Sequence, residues 1–456
     1  MASITSIEIN QFRGIKQLTV SDFSNINLIV GDNNSGKSYL MSLLWGIENL
    51  GVEALLGSEY LESEETDELS EWLISQMKTA IQKKKHIAPL EDISEMLSNV
   101  LNKGLEKNKD NFVRRIFNSD NVSIGKLSID LGDFKGRILD IELNEQTELL
   151  SLSIDSREAL EVHRTIVESK TLKERRYFNS ILIQVLYKSI MGIKIVESDT
   201  QRIIYLPAAR TGFMLTKDII NKVGRNNTFN LPDDREKFTP FVRPINNFLD
   251  IMGDLTVGQK KNENYIHLAE DIEHEMTDGT IEFSDMPNKE VMYVPDGHKK
   301  GIPLRLVSAV VTELCPLILI LKHSDNIARF YYEEPEMCLH PQLQSRMGKV
   351  IARIVNAGIG MVITTHSDII LQHINNMIKL QNRKDCDEIC DRLHYGKEDL
   401  LNCDQVRVYQ LKARAKGKTV VEELSCGENG FIVPTFNDAL DSIMSEAYEI
   451  QGDLHE

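Results

Sequence analysis

Cysteine is scarce in this chain of 456 residues: six, at positions 315, 338, 386, 390, 403 and 426, with no C-x-x-C pair among them. That spacing excludes a zinc ribbon or a dithiol redox motif, and no histidine cluster adjoins Cys386 and Cys390. Reduced thiols of a cytoplasmic protein are expected. Long apolar runs are missing as well. The longest candidate, Val307 to Leu321, is interrupted by Thr312, Glu313 and Pro316, so no membrane span is expected. The opening Met1-Ala2-Ser3-Ile4-Thr5 has neither the basic cluster nor the apolar core of a secretion signal. Internal repeats and low-complexity linkers are absent too. Positive charge is in deficit: 52 Lys and Arg face 69 Asp and Glu, for a net charge of −17. Such a surface repels polyanions on average, so nucleic acid remains a possible partner that the charge does not support. A basic protein partner suits it better.

What is present is ordinary in bulk, with 41% hydrophobic and 27% charged residues, and specific in two places. Gly31-Asp32-Asn33-Asn34-Ser35-Gly36-Lys37-Ser38 fits G-x-x-x-x-G-K-[ST], between the strand-like Ile26 to Val30 and the apolar Tyr39 to Leu44. A strand, a glycine-rich loop and a helix in that order let backbone N–H groups converge on phosphates. Asn33, Asn34, Ser35 and Gly36 would line the cradle, Lys37 would reach the terminal phosphates, and Ser38 would ligate magnesium.

Far downstream, Glu333-Glu334-Pro335 ends the apolar run Phe330-Tyr331-Tyr332. Adjacent residues on an ideal strand face opposite ways, so both carboxylates can serve one site only if the chain leaves the strand before Pro335. Glu333 is assigned to the metal and Glu334 to polarising an attacking water. A solvated acidic strand end is the plain alternative for a bare Glu-Glu; beside a phosphate loop it loses ground. His366 follows another apolar strand, Gly360 to Thr365, and is placed as a contact to the terminal phosphate. The two halves imply ATP and magnesium as ligands.

The fold expected is α/β, its core assembled from both ends of the chain. Residues 1–57 supply the phosphate-loop part, 58–200 a helical and antiparallel-β insertion, and 201–456 the carboxylate part. Ser3 to Val20 alternates as two strands around Phe12-Arg13-Gly14; Glu62 to Arg115 is helical; Val122 to Ile154 reads as a meander. Ile203 to Leu206 is a strand, Ile245 to Leu255 a helix, and Thr280 to Val294 a hairpin turning at Met286-Pro287-Asn288. Ile302 to Lys322 is expected as one long helix. In the tail, a strand at Gln405 to Leu411 precedes a second strand or turn near Gly427 to Val433 and a helix from Asp438 to Tyr448.

Glu333-Glu334-Pro335-Glu336, Leu339-His340-Pro341 and Ile363-Thr364-Thr365-His366-Ser367, in that order, closely resemble ATP-binding-cassette ATPases of the overcoming-lysogenization-defect type, relatives of RecF and the structural-maintenance-of-chromosomes ATPases. Ile9-Asn10-Gln11-Phe12-Arg13-Gly14 and Tyr205-Leu206-Pro207-Ala208-Ala209-Arg210 resemble further elements of that group. The resemblance covers both ends and one central segment, and leaves roughly residues 58–200 outside. It implies an ATP-binding-cassette fold, a nucleotide contact from Arg13, a switch role for His366, and a homo-oligomer built of ATP-dependent dimer units. It also implies a signature segment, here Leu306-Val307-Ser308-Ala309, whose Ser308 would touch ATP on the opposite subunit. Ala309 and Val310 stand where that segment has glycines, which implies slow or partner-regulated hydrolysis of ATP to ADP and phosphate.

Relatives of this type usually carry a nuclease after the ATPase, and the residues that follow Asn375 to Leu380 lack its spaced acidic cluster. The expectation is therefore a stand-alone ATPase subunit, similar to those of the two-component phage-defence systems Septu and PARIS, that senses infection and controls a separate effector, a nuclease. The alternative is a RecF-like ATPase of DNA repair or DNA ends, which should show a basic face. A transporter motor would be shorter with a glycine-containing signature, and a small-molecule kinase would not need paired glutamates.

Overall fold

The computed structural model describes the chain apart from residues 1–5, 22–24, 133, 156, 169–179, 182, 189–194, 197–198, 201, 217–219, 221–240, 256–264, 285–289, 415–417, 429, 435–443 and 451–456. Five parallel strands make its centre, in the spatial order Arg202–Leu206, Ile327–Glu333, Gly360–Thr365, Ile26–Gly31, Val406–Arg414. The sheet continues with Lys418–Leu424, Ile15–Ser21, Ser6–Phe12 and Lys126–Asp130 to make nine strands. The protein is thus α/β, with a core drawn from both ends of the sequence and a helical and antiparallel-β insertion.

Central strands covered on both faces read as continuous apolar runs, and their period of two decides which core each side chain joins. Ile29, Tyr205, Tyr331 and Val362 enter one core, with Leu40, Trp45 and the inserted helix Ser94–Phe117. Leu28, Val30, Ile204, Phe330, Tyr332, Met361 and Ile363 enter the other, against the helices Ala309–His323, Pro341–Asn356 and Asp368–Gln381. All five parallel strands point their C-terminal ends one way, and in open α/β sheets that edge is where ligands bind.

Several elements fall differently from the sequence reading. Lys126–Asp130, from within the stretch read as one meander, pairs with Ser6–Phe12 and so belongs to the main sheet. The remainder, Ile138–Asn144, Leu149–Ile154 and Arg157–His163, makes a separate antiparallel sheet with Lys85–Pro89, a strand lying between two inserted helices. The helix expected from Ile302 begins only at Ala309, after the short strand Ile302–Pro303 and the turn Leu304–Leu306. Ser308, extended at ψ 155°, is the residue at which the helix starts. The tail's second strand is Lys418–Leu424, and Gly427 to Gly430 is only an isolated bridge.

The hairpin Gly279–Phe283 and Val291–Pro295 is present, while its turn residues Met286 to Asn288 lie outside the described residues, as does the start of the tail helix. Cys403 and Cys426 are joined in a disulfide, their Cα atoms 6.4 Å apart, against the expectation of free thiols throughout; the pairing joins two loops brought together by the Val406–Leu424 hairpin. Among the described residues no helix is long and apolar enough to cross a membrane.

Candidate functional site at the ends of the parallel strands

The phosphate-type loop leaves the Ile26–Gly31 strand and enters the helix Lys37–Asn49. Two glycines shape it. Gly31 has φ 144°, and a Cβ there would come 2.1 Å from the Leu411 carbonyl oxygen, so only glycine lets the loop lie against the neighbouring strand. Gly36 has φ 97° and opens the helix without any side-chain cap, which leaves first-turn N–H groups available to an anion. The tail hairpin braces the loop: Thr419 Oγ1 donates to the Ser35 carbonyl at 3.0 Å, and the Ala413 N–H to Asp32 at 3.3 Å.

Lys37 is buried and curls back, its ammonium donating to the carbonyls of Gly31 at 2.9 Å and Asp32 at 2.8 Å. Burial lowers its pKa, and the charges of Glu334, Asp32 and Glu336 oppose that shift, Glu334 most. Asn33, Asn34 and Ser38 are exposed, and Asn34 adopts a left-handed φ of 59°. Ser35 is buried, and its hydroxyl has no hydrogen-bond partner among the described residues. Arg13 occupies the adjoining turn, with its carbonyl 3.6 Å from where a Gly36 Cβ would stand and its guanidinium 5.0 Å from the Tyr39 ring centre. A phosphate group would find N–H groups, a cation and hydroxyls at one helix start.

Two strands away the paired glutamates part company. Glu333 is the last strand residue, in register with Thr364. Glu334 turns to a left-handed φ of 43°, a conformation that costs a non-glycine residue about 1–2 kcal/mol, and its N–H is held by the Thr364 carbonyl at 2.9 Å. The kink gives the two carboxylates separate surroundings. Glu333 is buried; one oxygen accepts the Ala208 N–H at 3.0 Å and the other has no hydrogen-bond partner among the described residues. The Tyr205 hydroxyl behind it is pushed well up by burial first and by the Glu333 charge second. Glu334 is half-exposed and faces His366, whose Nε2 is 3.8 Å from its carboxylate.

His366 follows its strand directly. Burial lowers its pKa, the nearby Lys37 lowers it further, and Glu334 and Asp32 act in the opposite sense. One charge cluster therefore contains Lys37, Asp32, Glu334 and His366. Glu336 underpins it: its carboxylate accepts the His366 N–H at 2.6 Å and the Thr365 hydroxyl at 2.9 Å. Ser308 stands apart, exposed at the start of the Ala309–His323 helix with Leu306 beside it 68% exposed. Among the described residues it makes no hydrogen bond to the loop of its own chain.

The sequence reading gave no role to Arg210 and Glu313. Both are buried, and the arginine ties the kinked strand end to the Ala309–His323 helix through Glu313. A signal existed: Glu313 is an acid in an otherwise apolar helix, a place where a charge needs a buried partner.

Magnesium held by protein and nucleotide together needs one or two carboxylates and a hydroxyl, not a full protein cage. No group of three His, Cys, Asp or Glu side chains among the described residues could hold a metal alone. The donor-free buried oxygen of Glu333 and the exposed Ser38 at the helix start fit a cation that arrives with phosphates.

No curated protein matches the chain. Solved structures similar to it include an Smc head bound to the C-terminal winged-helix domain of ScpA (13% identity, TM-score 0.37, covering 92% of this chain and 97% of that one). The Smc head domain of Thermotoga maritima is 10% identical, with a TM-score of 0.34 over 93% of this chain and 100% of that one. The Pyrococcus furiosus Smc head with an extended coiled coil, bound to the C-terminal domain of ScpA, is 14% identical, with a TM-score of 0.38 over 99% and 100%. A family model described as AAA ATPase domain matches residues 3–371, a span that holds the loop, both glutamates and His366, and the chain belongs to that family of ATPase domains.

Proposed function

We propose that this ATPase domain binds ATP with magnesium and hydrolyses it in an ATP-binding-cassette manner, as the ATPase subunit of a phage-defence complex whose separate effector is a nuclease. The convergence of Lys37, Glu334 and His366 from three distant segments on one sheet edge carries the hydrolytic reading.

ATP entering the loop offers Lys37 phosphate oxygens in place of the carbonyls of Gly31 and Asp32. The N–H groups at the start of the Lys37–Asn49 helix add donors to the same oxygens. Magnesium, when bound, neutralises charge on the transferring phosphate; Ser38 and Glu333 are the residues that would hold it. Glu334, half-exposed and held in place by its kink, accepts a hydrogen bond from the attacking water and orients it. In the free chain burial and Lys37 favour the neutral imidazole of His366, and with ATP bound a ring N–H can donate to the terminal phosphate whichever protonation state it takes.

The defence assignment is supported by the order of the motifs and by the net charge of −17, which disfavours a broad grip on DNA. Two copies related by a two-fold axis would place Ser308 of each against the loop of the other. Isolation of the native complex tests the assignment. A co-purifying nuclease is expected; recovery of DNA with no effector protein would overturn it in favour of a RecF-like role.

A further inference from the structure

Arg210 lies one residue past the Pro207-Ala208-Ala209 turn and is 1% exposed, although nothing in the hydrolytic scheme above uses it. Its guanidinium makes bonds in three directions. Nη1 donates to the carbonyls of Pro207 at 2.8 Å and Glu333 at 2.6 Å, and Nη2 donates to that of Glu334 at 3.2 Å. Nε donates to the Glu313 carbonyl at 3.3 Å and pairs with the Glu313 carboxylate at 3.0 Å. The plane lies 4.6 Å from the Tyr332 ring centre. The other Glu313 oxygen accepts the Thr211 N–H at 3.1 Å.

Two of those carbonyls belong to the paired glutamates themselves. A left-handed residue after a strand turns its carbonyl out of the ladder, and the Glu334 carbonyl is met there by Arg210 and by the Met337 N–H at 3.0 Å. A planar fork with five donors can fix carbonyls of four residues at once; an ammonium is a point charge and cannot hold the same angles. A buried ion pair is poor evidence of stability, because its desolvation offsets most of its attraction. Position is what the fork supplies.

We propose that Arg210 is a positioning residue: by clamping the Glu333 and Glu334 carbonyls it holds Glu334 at the angle needed to orient water. Through Glu313 it ties that angle to the helix opened by Ser308, so that a displacement of the helix start moves the Glu334 backbone. This rests on the ATP-hydrolysis reading above, and it deepens that reading by naming what sets the geometry of its water-orienting carboxylate.

The test uses the full chain. Removing Arg210 alone leaves Glu313 buried and uncompensated, which threatens folding. The double variant Arg210→Met with Glu313→Leu removes both charges. Melting temperature, binding of a fluorescent ATP analogue with and without magnesium, and steady-state hydrolysis are then measured. A folded double variant should bind within about threefold of the parent and hydrolyse about 100-fold more slowly, as a misplaced reacting group does.

Arg210→Lys, which keeps the charge and loses the fork, should fall between them. A kcat in the folded double variant within about threefold of the parent overturns the proposal, and so does a loss of affinity equal to the loss of kcat. If the double variant does not fold, Arg210→Lys decides by the same split. A parent that does not hydrolyse ATP overturns the hydrolytic reading and this role with it, whereas an active parent with an equally active variant overturns only the role of Arg210.

Discussion

Nε2 of His366 stands 3.8 Å from a carboxylate oxygen of Glu334, with the Lys37 ammonium as the chief cation acting on the imidazole. Burial and that cation together hold the folded pKa below the ordinary histidine value of about 6.5. The unfolded chain therefore binds the proton more readily, and His366 withdraws stability as pH falls through about 6.5, with little effect well above that value. Negative charge from bound ATP should raise the pKa. Proton NMR of the His366 ring is expected to show a titration below about 6.5 in the free chain and an upward shift with ATP. A free-chain midpoint above that value would contradict the geometry.

Lys37→Ala deletes the charge that faces the phosphates. One charge-assisted bond of this type contributes about 1.5–3 kcal/mol, so affinity for ATP should fall about 10- to 150-fold. Calorimetric titration reads this directly. Unchanged binding would remove the loop from the nucleotide site.

The two glutamates should respond differently to the same change. Glu334→Gln is expected to bind ATP normally and hydrolyse it at least about 100-fold more slowly. Glu333→Gln should raise the magnesium concentration needed for half-maximal activity. Exchanged phenotypes would reverse the two roles.

Gly31→Ala asks the strand pair to absorb a methyl 2.1 Å from the Leu411 oxygen at φ 144°. Strain of this kind costs about 1–3 kcal/mol before any clash is counted. The melting temperature should drop and nucleotide binding weaken with it. A melting curve superimposable on the parent's would mean that the Val406–Arg414 strand does not press on the loop.

Composite sites predict complementation. Glu334→Gln chains mixed with Ser308→Arg chains form dimers in which one site carries both lesions and the other neither, so hydrolysis should partly recover. Proven mixing without recovery would leave Ser308 as no more than the first residue of a helix.

The parts of this fold that local chemistry controls were readable. The apolar run into Glu333-Glu334-Pro335 forecasts a strand that ends in a kink, and Gly31 to Ser38 forecasts a loop before a helix; the structure has both. Pairing between distant strands was not readable. Nothing in Lys126 to Asp130 says that Ser6 to Phe12 is its neighbour, because period-two alternation names a buried face and not a partner. The apolar content from Ile302 onward hides the start of the Ala309–His323 helix, which only Ser308 marks. The Arg210 to Glu313 contact and the Cys403 to Cys426 bond depend on tertiary approach, which no spacing encodes.

The place of the Ile26–Gly31 strand, between Gly360–Thr365 and Val406–Arg414, sets an order of events during synthesis. A ribosome makes that strand long before either of these two neighbours. Until then the apolar Ile26 to Val30 has neither hydrogen-bonding edge occupied, the condition in which a nascent chain recruits chaperones or pairs with a sister chain. Truncation between residues 365 and 406 would leave the loop-bearing strand with one open side, and truncation before residue 360 with two. Translation speed through the stretch that encodes Gly360 to Arg414, rather than through Ile26 to Gly31, should govern how much active protein a cell obtains.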